Sequence, residues 1–133
     1  MNPLVIKETE TSPRIMFDPT NQIFEISGES RPDDARAFFV PVIQWLEEYG
    51  MYLYWKKNEL KTDDPLILEF KLEYFNSTSA KYILDVFYVM EKLHQQKHKV
   101  MIKWHYEAGD LDIKEAGEEF FSTVDVPHAF VEN

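Results

Sequence analysis

Three consecutive hydroxyl side chains, Ser77, Thr78 and Ser79, follow Asn76 near the middle of the chain. Residues of these types cap helices, because their oxygens accept hydrogen bonds from amides that the first helical turn leaves unpaired. One cap needs one such residue, so the run leaves hydroxyls free for another role. A helix N-terminus favours an anion, and a phosphate there would add about −1.5 to −2 charges. Lys81, one turn further on, could pair with that phosphate. On pattern alone, capping ranks above phosphorylation.

A second possible chemistry involves histidines. His94 and His98 are four residues apart near the end of a predicted helix, a spacing that places two metal ligands on one face. No third ligand is apparent, and cationic groups at a helix C-terminus complement the helix dipole, so the structural interpretation ranks ahead of a metal enzyme. His105 and His128 have no nucleophile near them in sequence, and no phosphate-binding or hydrolase motif is present. We therefore expect no enzymatic activity, no metal and no cofactor.

The overall charge restricts the classes of partner. The 133 residues include 14 basic and 24 acidic side chains, a net charge of −10, which repels nucleic acids and anionic membrane surfaces alike. Cysteine is absent, which excludes disulfides and thiolate metal sites and is compatible with a reducing cytoplasm. The first residues show no signal peptide, and no apolar run is long enough to span a membrane. The sequence thus predicts a single cytoplasmic domain over residues 1–133 with no nucleic-acid or membrane partner.

Acidic residues concentrate in the last quarter of the chain. Between Tyr106 and Asn133 there are eight acids and one base, so this segment carries −7 of the −10 charges. A solvated surface that aids solubility is the favoured interpretation, and an acidic docking surface for a basic partner is the alternative.

The elements that position the hydroxyl cluster follow from apolar spacing. Arg14–Phe17 and Ile23–Ser27 flank a turn and predict a β-hairpin, with a weaker strand near Leu4–Lys7. Asp33 and Asp34 supply a capping carboxylate for the amphipathic helix that follows.

That helix has apolar residues at helical spacing from Ala35 to Tyr49, and Pro41 inside the stripe should kink it or mark its start. The lysine-rich segment Met51–Asp64 resembles a solvated loop.

The second half of the chain predicts a βαβ unit. Apolar and charged residues alternate from Leu66 to Tyr74 and from Val100 to Tyr106, and the helix Ser77–Lys97 lies between these strands. A shorter helix at Leu111–Phe121 and an edge strand at Val124–Val131 follow. The predicted order is ββαβαβαβ. Because each clear strand has one charged face, we expect a two-layer α/β fold, a mixed sheet with helices mainly on one face.

Nearly the whole chain resembles the SiaC family of bacterial regulatory phosphoproteins, which are related in architecture to the STAS domains of anti-anti-sigma factors. The matching segments are Ser12–Pro19, Phe24–Pro32, Trp45–Tyr49, Phe70–Tyr82, Trp104–Glu107 and Glu115–Phe120. The most specific is Phe70–Tyr82, which contains the hydroxyl cluster.

The resemblance implies a non-enzymatic switch in a partner-switching module. A serine/threonine kinase phosphorylates such a protein, a PP2C-type phosphatase resets it, and the unmodified form binds an effector, a diguanylate cyclase in biofilm control through c-di-GMP. The family's acceptor is the hydroxyl directly after the Asn, which maps onto Ser77, and Thr78 is the second candidate. Asn76, Ser79 and Lys81 then form the surroundings of the phosphosite.

A constitutive protein-binding adaptor is the alternative from a different class. It would use the acidic C-terminal quarter, and Ser77–Ser79 would be only a helix cap. The two hypotheses differ in whether a negative charge at residue 77 changes the affinity for a partner.

Overall fold

Alternating apolar side chains build one six-stranded sheet, and three amphipathic helices cover it, in a computed structural model that describes residues 1–133. The strands are β1 Leu4–Ile6, β2 Arg14–Asp18, β3 Ile23–Ser30, β4 Leu66–Phe75, β5 Val100–Tyr106 and β6 His128–Glu132. The helices are α1 Ala35–Trp55, α2 Ser77–Gln95 and α3 Leu111–Thr123. None of these helices is long and apolar enough to cross a membrane.

The strands lie in the sheet in the order in which they occur along the chain. β1, β2 and β3 pair antiparallel, whereas β3, β4, β5 and β6 pair parallel, each through a helical crossover. The predicted mixed sheet and the predicted parallel β4–α2–β5 unit are therefore confirmed.

All three helices pack on the same face of the sheet. A row of side chains in register crosses that face, formed by Ile15, Ile26, Phe70, Trp104 and Phe130. One aromatic pair links this face to each helix. The ring centroids of Phe17 on the sheet and Trp45 on α1 are 5.2 Å apart. The corresponding distances are 5.2 Å from Phe70 to Phe87 on α2 and 5.7 Å from Trp104 to Phe120 on α3. The predicted two-layer arrangement is confirmed.

The opposite face of the sheet is open and charged. Glu25 accepts from Lys71 at 3.1 Å and lies 3.7 Å from Arg14, and His105 Nε2 lies 2.9 Å from Glu69 Oε1. These pairs lie on the charged face that the alternation predicts.

The predicted order lacks one strand at the start of the chain, and the predicted last strand begins too early. β1 precedes the hairpin, so the order is βββαβαβαβ rather than ββαβαβαβ. β1 is only three residues long, which leaves its alternation hard to detect in sequence. At the other end, β6 begins at His128 rather than Val124. The strand begins after Pro127 because proline has no N–H to donate to the sheet. The Pro127 carbonyl still accepts from Ile102 N at 3.0 Å.

The prediction of a loop at Met51–Asp64 is wrong for Met51–Leu60, which is helical, and is confirmed for Lys61–Asp64, which lies between the helical turn and β4. α1 begins at its Asp34 cap, passes through Pro41 in its second turn and continues to Trp55, and the π-helical turn Lys56–Leu60 follows it. The lysines there are not simply solvated: Lys57 Nζ donates to the Lys97 carbonyl at 2.8 Å, which ties the turn to the α2–β5 connection. Long lysine stems can cover apolar surface while their charged ends reach polar groups, which a polarity pattern does not reveal.

Candidate functional site

The hydroxyl cluster lies where β4 ends and α2 begins. Asn76 is the N-cap residue in extended conformation, and its Oδ1 accepts from Ser79 N at 2.9 Å. Its backbone carbonyl accepts from Ala80 N at 3.0 Å. The predicted capping role of the cluster is therefore carried by Asn76, and none of the three hydroxyls is needed for it.

Ser79 is a buried structural residue. Its Oγ accepts from Ser30 Oγ at 2.8 Å and donates to the Ser30 carbonyl at 3.0 Å, and both side chains are fully buried. The same carbonyl accepts from Asn76 N at 3.0 Å. The end of β3 thus holds the first turn of α2 in place through two hydrogen bonds to one oxygen.

Ser77 and Thr78 are exposed, and neither hydroxyl makes a hydrogen bond to another protein group. They occupy the first two positions of α2, where backbone N–H groups have no acceptor within the helix. An anion attached to either side chain would meet these amides and the positive end of the helix dipole. The structure therefore divides the cluster into one buried hydroxyl and two accessible ones.

Lys81 is exposed and contacts an aromatic ring. Its Nζ lies 5.1 Å from the centroid of the Tyr82 ring, which stacks against Phe39 at 5.9 Å. Lys81 follows Ser77 by four residues and Thr78 by three, a spacing that places all three on neighbouring parts of the helix surface.

The strand ends next to the cluster carry further features. Tyr74 is 49% exposed, whereas Phe75 packs on Trp104 and Phe120. Arg31, directly after β3, is paired with Glu29 at 3.3 Å.

Three helices begin at this edge of the sheet. α1, α2 and α3 follow the C-terminal ends of the parallel strands β3, β4 and β5, so their N-termini share one side of the molecule. Asp34 caps α1 and Asp110 caps α3, accepting from Ala37 N at 3.0 Å and from Ile113 N at 3.2 Å. Carboxylates thus neutralise the two outer helix N-termini, whereas the uncharged Asn76 caps α2.

The role of Ser30 could not be identified from the sequence. A polar residue at the end of a strand looks like a turn residue, and its partner Ser79 lies 49 positions away. The available signal is the alternation along β3. Ser30 lies an even number of residues after the buried Phe24 and Ile26, which predicts the same buried face.

His94 lies in the last turn of α2 and is half-exposed, and His98 lies in the connection after that helix. His98 is buried, and its Nε2 has no hydrogen-bond partner. Burial, with a smaller contribution from the positive charge of Lys57, lowers the pKa of this imidazole below its usual 6.5. No group of three or more His, Cys, Asp or Glu side chains is placed to hold a metal ion.

The acidic C-terminal quarter presents its charges to solvent. The exposed acids of α3 are Asp112, Glu115, Glu118 and Glu119. Its basic residue, Lys114, lies with Nζ 5.6 Å from the centroid of the Tyr106 ring.

Comparison with known families gives a match to the SiaC family of regulatory phosphoproteins over residues 6–132. A curated relative, an uncharacterized protein of Pseudomonas aeruginosa, is 29% identical over 129 residues, covering 97% of this chain and 95% of the relative.

Three solved structures are similar to the chain over almost its full length, each at 28% identity. SiaC of Pseudomonas aeruginosa superposes with a TM-score of 0.83, covering 100% of both chains. Apo-SiaC of the same organism gives 0.82, covering 98% of this chain and 99% of that one. A chain in the crystal structure of the diguanylate cyclase SiaD in complex with its activator SiaC, also from Pseudomonas aeruginosa, gives 0.84 with the same coverage.

Proposed function

This chain belongs to the SiaC family of regulatory phosphoproteins, and on that basis we propose that it is the phosphorylated component of a bacterial partner-switching module. It is a regulatory protein, not an enzyme. Its unphosphorylated form binds and regulates an effector in the cytoplasm. A serine/threonine kinase adds a phosphate at the start of α2, and a PP2C-type phosphatase removes it.

The effector is a diguanylate cyclase, and the module controls biofilm formation through c-di-GMP. The similar chain of the SiaD complex is the activator of such a cyclase, and the present chain matches it along 98% of its length. Effector and regulator would both be proteins, which agrees with a net charge of −10 that disfavours nucleic acids and anionic lipids.

The observation that carries the proposal is the division of the hydroxyl cluster. Ser77 and Thr78 are exposed with free hydroxyls, whereas Ser79 is buried and hydrogen bonded to Ser30. A kinase needs an accessible hydroxyl, so Ser77 is the acceptor that we propose and Thr78 is the second candidate. Asn76 and Ser79 fix the backbone on which both are presented.

The switch follows from electrostatics. A phosphate at Ser77 carries about −1.5 to −2 charges, and burying a charge without a partner in an interface costs several kcal/mol. Moving a population from 99:1 bound to 1:99 requires a change in affinity of about 5.5 kcal/mol. One phosphate at the centre of an interface would provide much of that change.

The first experiment is mass spectrometry of the protein from its native cells, resolving the peptide that contains residues 73–81. Phosphate on Ser77 or Thr78 with an occupancy that changes with growth state supports the switch. Peptide that stays unmodified at good coverage in every growth state contradicts it.

The second experiment measures binding to purified diguanylate cyclases of the same organism, together with their c-di-GMP synthesis. Ser77→Asp is compared with Ser77→Asn, which has nearly the same shape and no charge. Weaker binding of the Asp variant alone supports the charge mechanism. Equal binding of both variants supports instead the constitutive adaptor that uses the acidic C-terminal quarter.

A further inference from the structure

A β-bulge near the end of β4 turns Tyr74 out of the core. Every second residue from Leu66 to Leu72 is buried, and the same alternation places Tyr74 on the face that the helices cover. The structure differs, because the register shifts at this point. Gly28 of β3 pairs with Leu72, but the next residue, Glu29, pairs with Tyr74, which leaves Glu73 without a partner in β3. An extra residue of this kind redirects the side chains that follow it.

Beyond the bulge, Tyr74 lies on the open face of the sheet. The next pair along the two strands is Ser30 and Phe75. Both face the helices, since Ser30 is fully buried and the rings of Phe75 and Phe120 have centroids 5.8 Å apart. Successive side chains of a strand point to opposite faces, so Glu29 and Tyr74 point away from the helices. Tyr74 is therefore 49% exposed.

The chain gains no internal contact from this placement of Tyr74. Its hydroxyl makes no hydrogen bond to another group of the chain, and its ring has no aromatic neighbour, whereas Phe75 has two. A ring that faced the helices would have added to the apolar surface that folding buries. β-Bulges recur beside functional sites, where they aim a side chain at a partner. Tyrosine is suited to such a role, because it brings a large amphipathic ring into an interface and has only two rotatable side-chain torsions.

On the basis of the proposed function, in which the diguanylate cyclase covers Ser77, we propose that Tyr74 anchors this effector. A partner surface of standard size covers about 800 Å² on each protein, a roughly circular patch about 16 Å in radius. Ser77 follows Tyr74 by three residues, which span at most about 11 Å of chain. A contact centred on Ser77 therefore reaches Tyr74. The cyclase supplies an apolar pocket for the ring, with a polar group that meets the phenol hydroxyl.

The direction in which the contact extends follows from the side chains on each side of the acceptor turn. Towards α2 the nearest ring is already used within the chain, because Tyr82 stacks on Phe39 at 5.9 Å and carries Lys81 Nζ 5.1 Å from its centroid. Towards the sheet, Tyr74 is unengaged and stands on a fixed backbone, since Phe75 is packed in the core. The interface thus extends from the acceptor turn onto the open face.

The effector, rather than the kinase, is the partner that needs such an anchor. A regulator must stay bound while its effector works, and the similar chain of the SiaD complex is bound to its cyclase. A kinase meets its substrate transiently, and transient encounters have the smaller interfaces.

The test measures, by isothermal titration calorimetry, the affinity of the purified full-length chain for diguanylate cyclases of the same organism. Tyr74→Ala should raise the dissociation constant at least about tenfold, and Tyr74→Phe, which keeps the ring, should stay within about threefold of the original protein. Tyr88→Ala is the matched control, because Tyr88 is similarly exposed, at 44%, but lies in the middle of α2. It should leave the affinity unchanged. Urea denaturation verifies that all three variants are folded.

Ser77→Asp, measured in parallel, separates this proposal from the proposed switch. Weaker binding of Ser77→Asp with unchanged binding of Tyr74→Ala overturns the anchor and leaves the switch in place. Weaker binding of Tyr74→Ala with unchanged binding of Ser77→Asp supports the anchor and contradicts the switch. A loss that Tyr88→Ala shares overturns the anchor, because it is not specific to the bulge.

Phosphorylation of Tyr74→Ala by the cognate kinase gives a further readout. A slower reaction together with an unchanged affinity for the cyclase assigns Tyr74 to the kinase and overturns the proposal. A chain that binds none of the cyclases overturns both the anchor and the proposed function.

Discussion

Both ends of helix α2 carry neighbouring side chains that could do chemistry, but the two groups differ in burial and hydrogen bonding. The first turn has three adjacent hydroxyls, and the last turn and the connection after it have two histidines four residues apart. At the start of the helix, the buried hydroxyl of Ser79 has partners, and the exposed ones do not. At the end, His98 is buried without a partner for Nε2.

Burial and hydrogen bonding, rather than residue type, therefore decide which side chain is available to react. A buried hydroxyl that both donates and accepts is satisfied and contributes to structure. An exposed hydroxyl on an otherwise fixed backbone is free to be modified. Burial lowers the pKa of an imidazole because it penalises the charged form.

Phosphate on Ser77 should have the largest effect. Phosphoserine incorporated at residue 77 is expected to weaken binding to the cognate diguanylate cyclase by about 100-fold, about 2.7 kcal/mol, because the charge must enter an interface without a buried partner. Isothermal titration calorimetry measures the affinity. An unchanged affinity would contradict the proposed switch at the start of the helix.

Ser79→Ala should destabilise the fold by about 1–3 kcal/mol, because it leaves Ser30 Oγ buried without its acceptor. Ser77→Ala should change the free energy of unfolding by less than about 0.5 kcal/mol, since the Ser77 hydroxyl has no partner in the chain. Urea denaturation compares the two variants. Equal losses would show that the division of the cluster into buried and free hydroxyls is wrong.

The free energy of unfolding should fall as the pH drops below 6.5. The unfolded chain takes up a proton at His98 near its usual pKa of 6.5, whereas burial lowers the pKa of the same group in the folded chain. Stability is lost until the pH reaches that lower folded pKa. His98→Gln should reduce the slope of stability against pH in this range, compared with the original protein. Chemical denaturation at a series of pH values gives both slopes.

Zinc should have the smallest effect. We expect no change in the thermal midpoint when Zn²⁺ is added in equimolar amount, because the pair of histidines lacks the further ligands that a stable zinc site requires. Differential scanning fluorimetry measures the midpoint. Stoichiometric metal in the purified protein, or a clear rise in the midpoint, would revive the metal-binding interpretation of His94 and His98.

The fold could be predicted where the apolar pattern is regular. The alternation in β4 and β5 identified two strands with one buried face, and a helix between them required a parallel crossover. Hence the two-layer arrangement, with helices on one face of a mixed sheet, follows from the sequence and is confirmed. The likeness to STAS domains stays a prediction.

The errors lie where tertiary contacts replace local pattern. The end of α1 looked like the start of a loop because of the lysines that follow it, yet Leu53 of α1 is buried and Lys57 of the π-helical turn donates to the α2–β5 connection. The weaker strand predicted near Leu4–Lys7 is present as β1, and the predicted order left it out because three residues are too few to show a clear alternation.

The candidate site could be located from the sequence but not resolved into its members. The run after Asn76 predicts a cap and a possible phosphosite, and the family resemblance favours Ser77. Which hydroxyl is buried depends on Ser30, which comes from a different strand. The residues near Ser79 in sequence do not predict that contact.

The strictly sequential order of the six strands has a consequence for how the chain folds during synthesis. Each new strand pairs with the one made just before it, so no strand has to be inserted between two others. The N-terminal antiparallel hairpin closes a short loop, and later strands are added one at a time to a growing edge. We therefore expect the sheet to assemble as the chain leaves the ribosome, with β6 last, and the first turn of α2, which carries the proposed acceptor, to form before β5 has been synthesised.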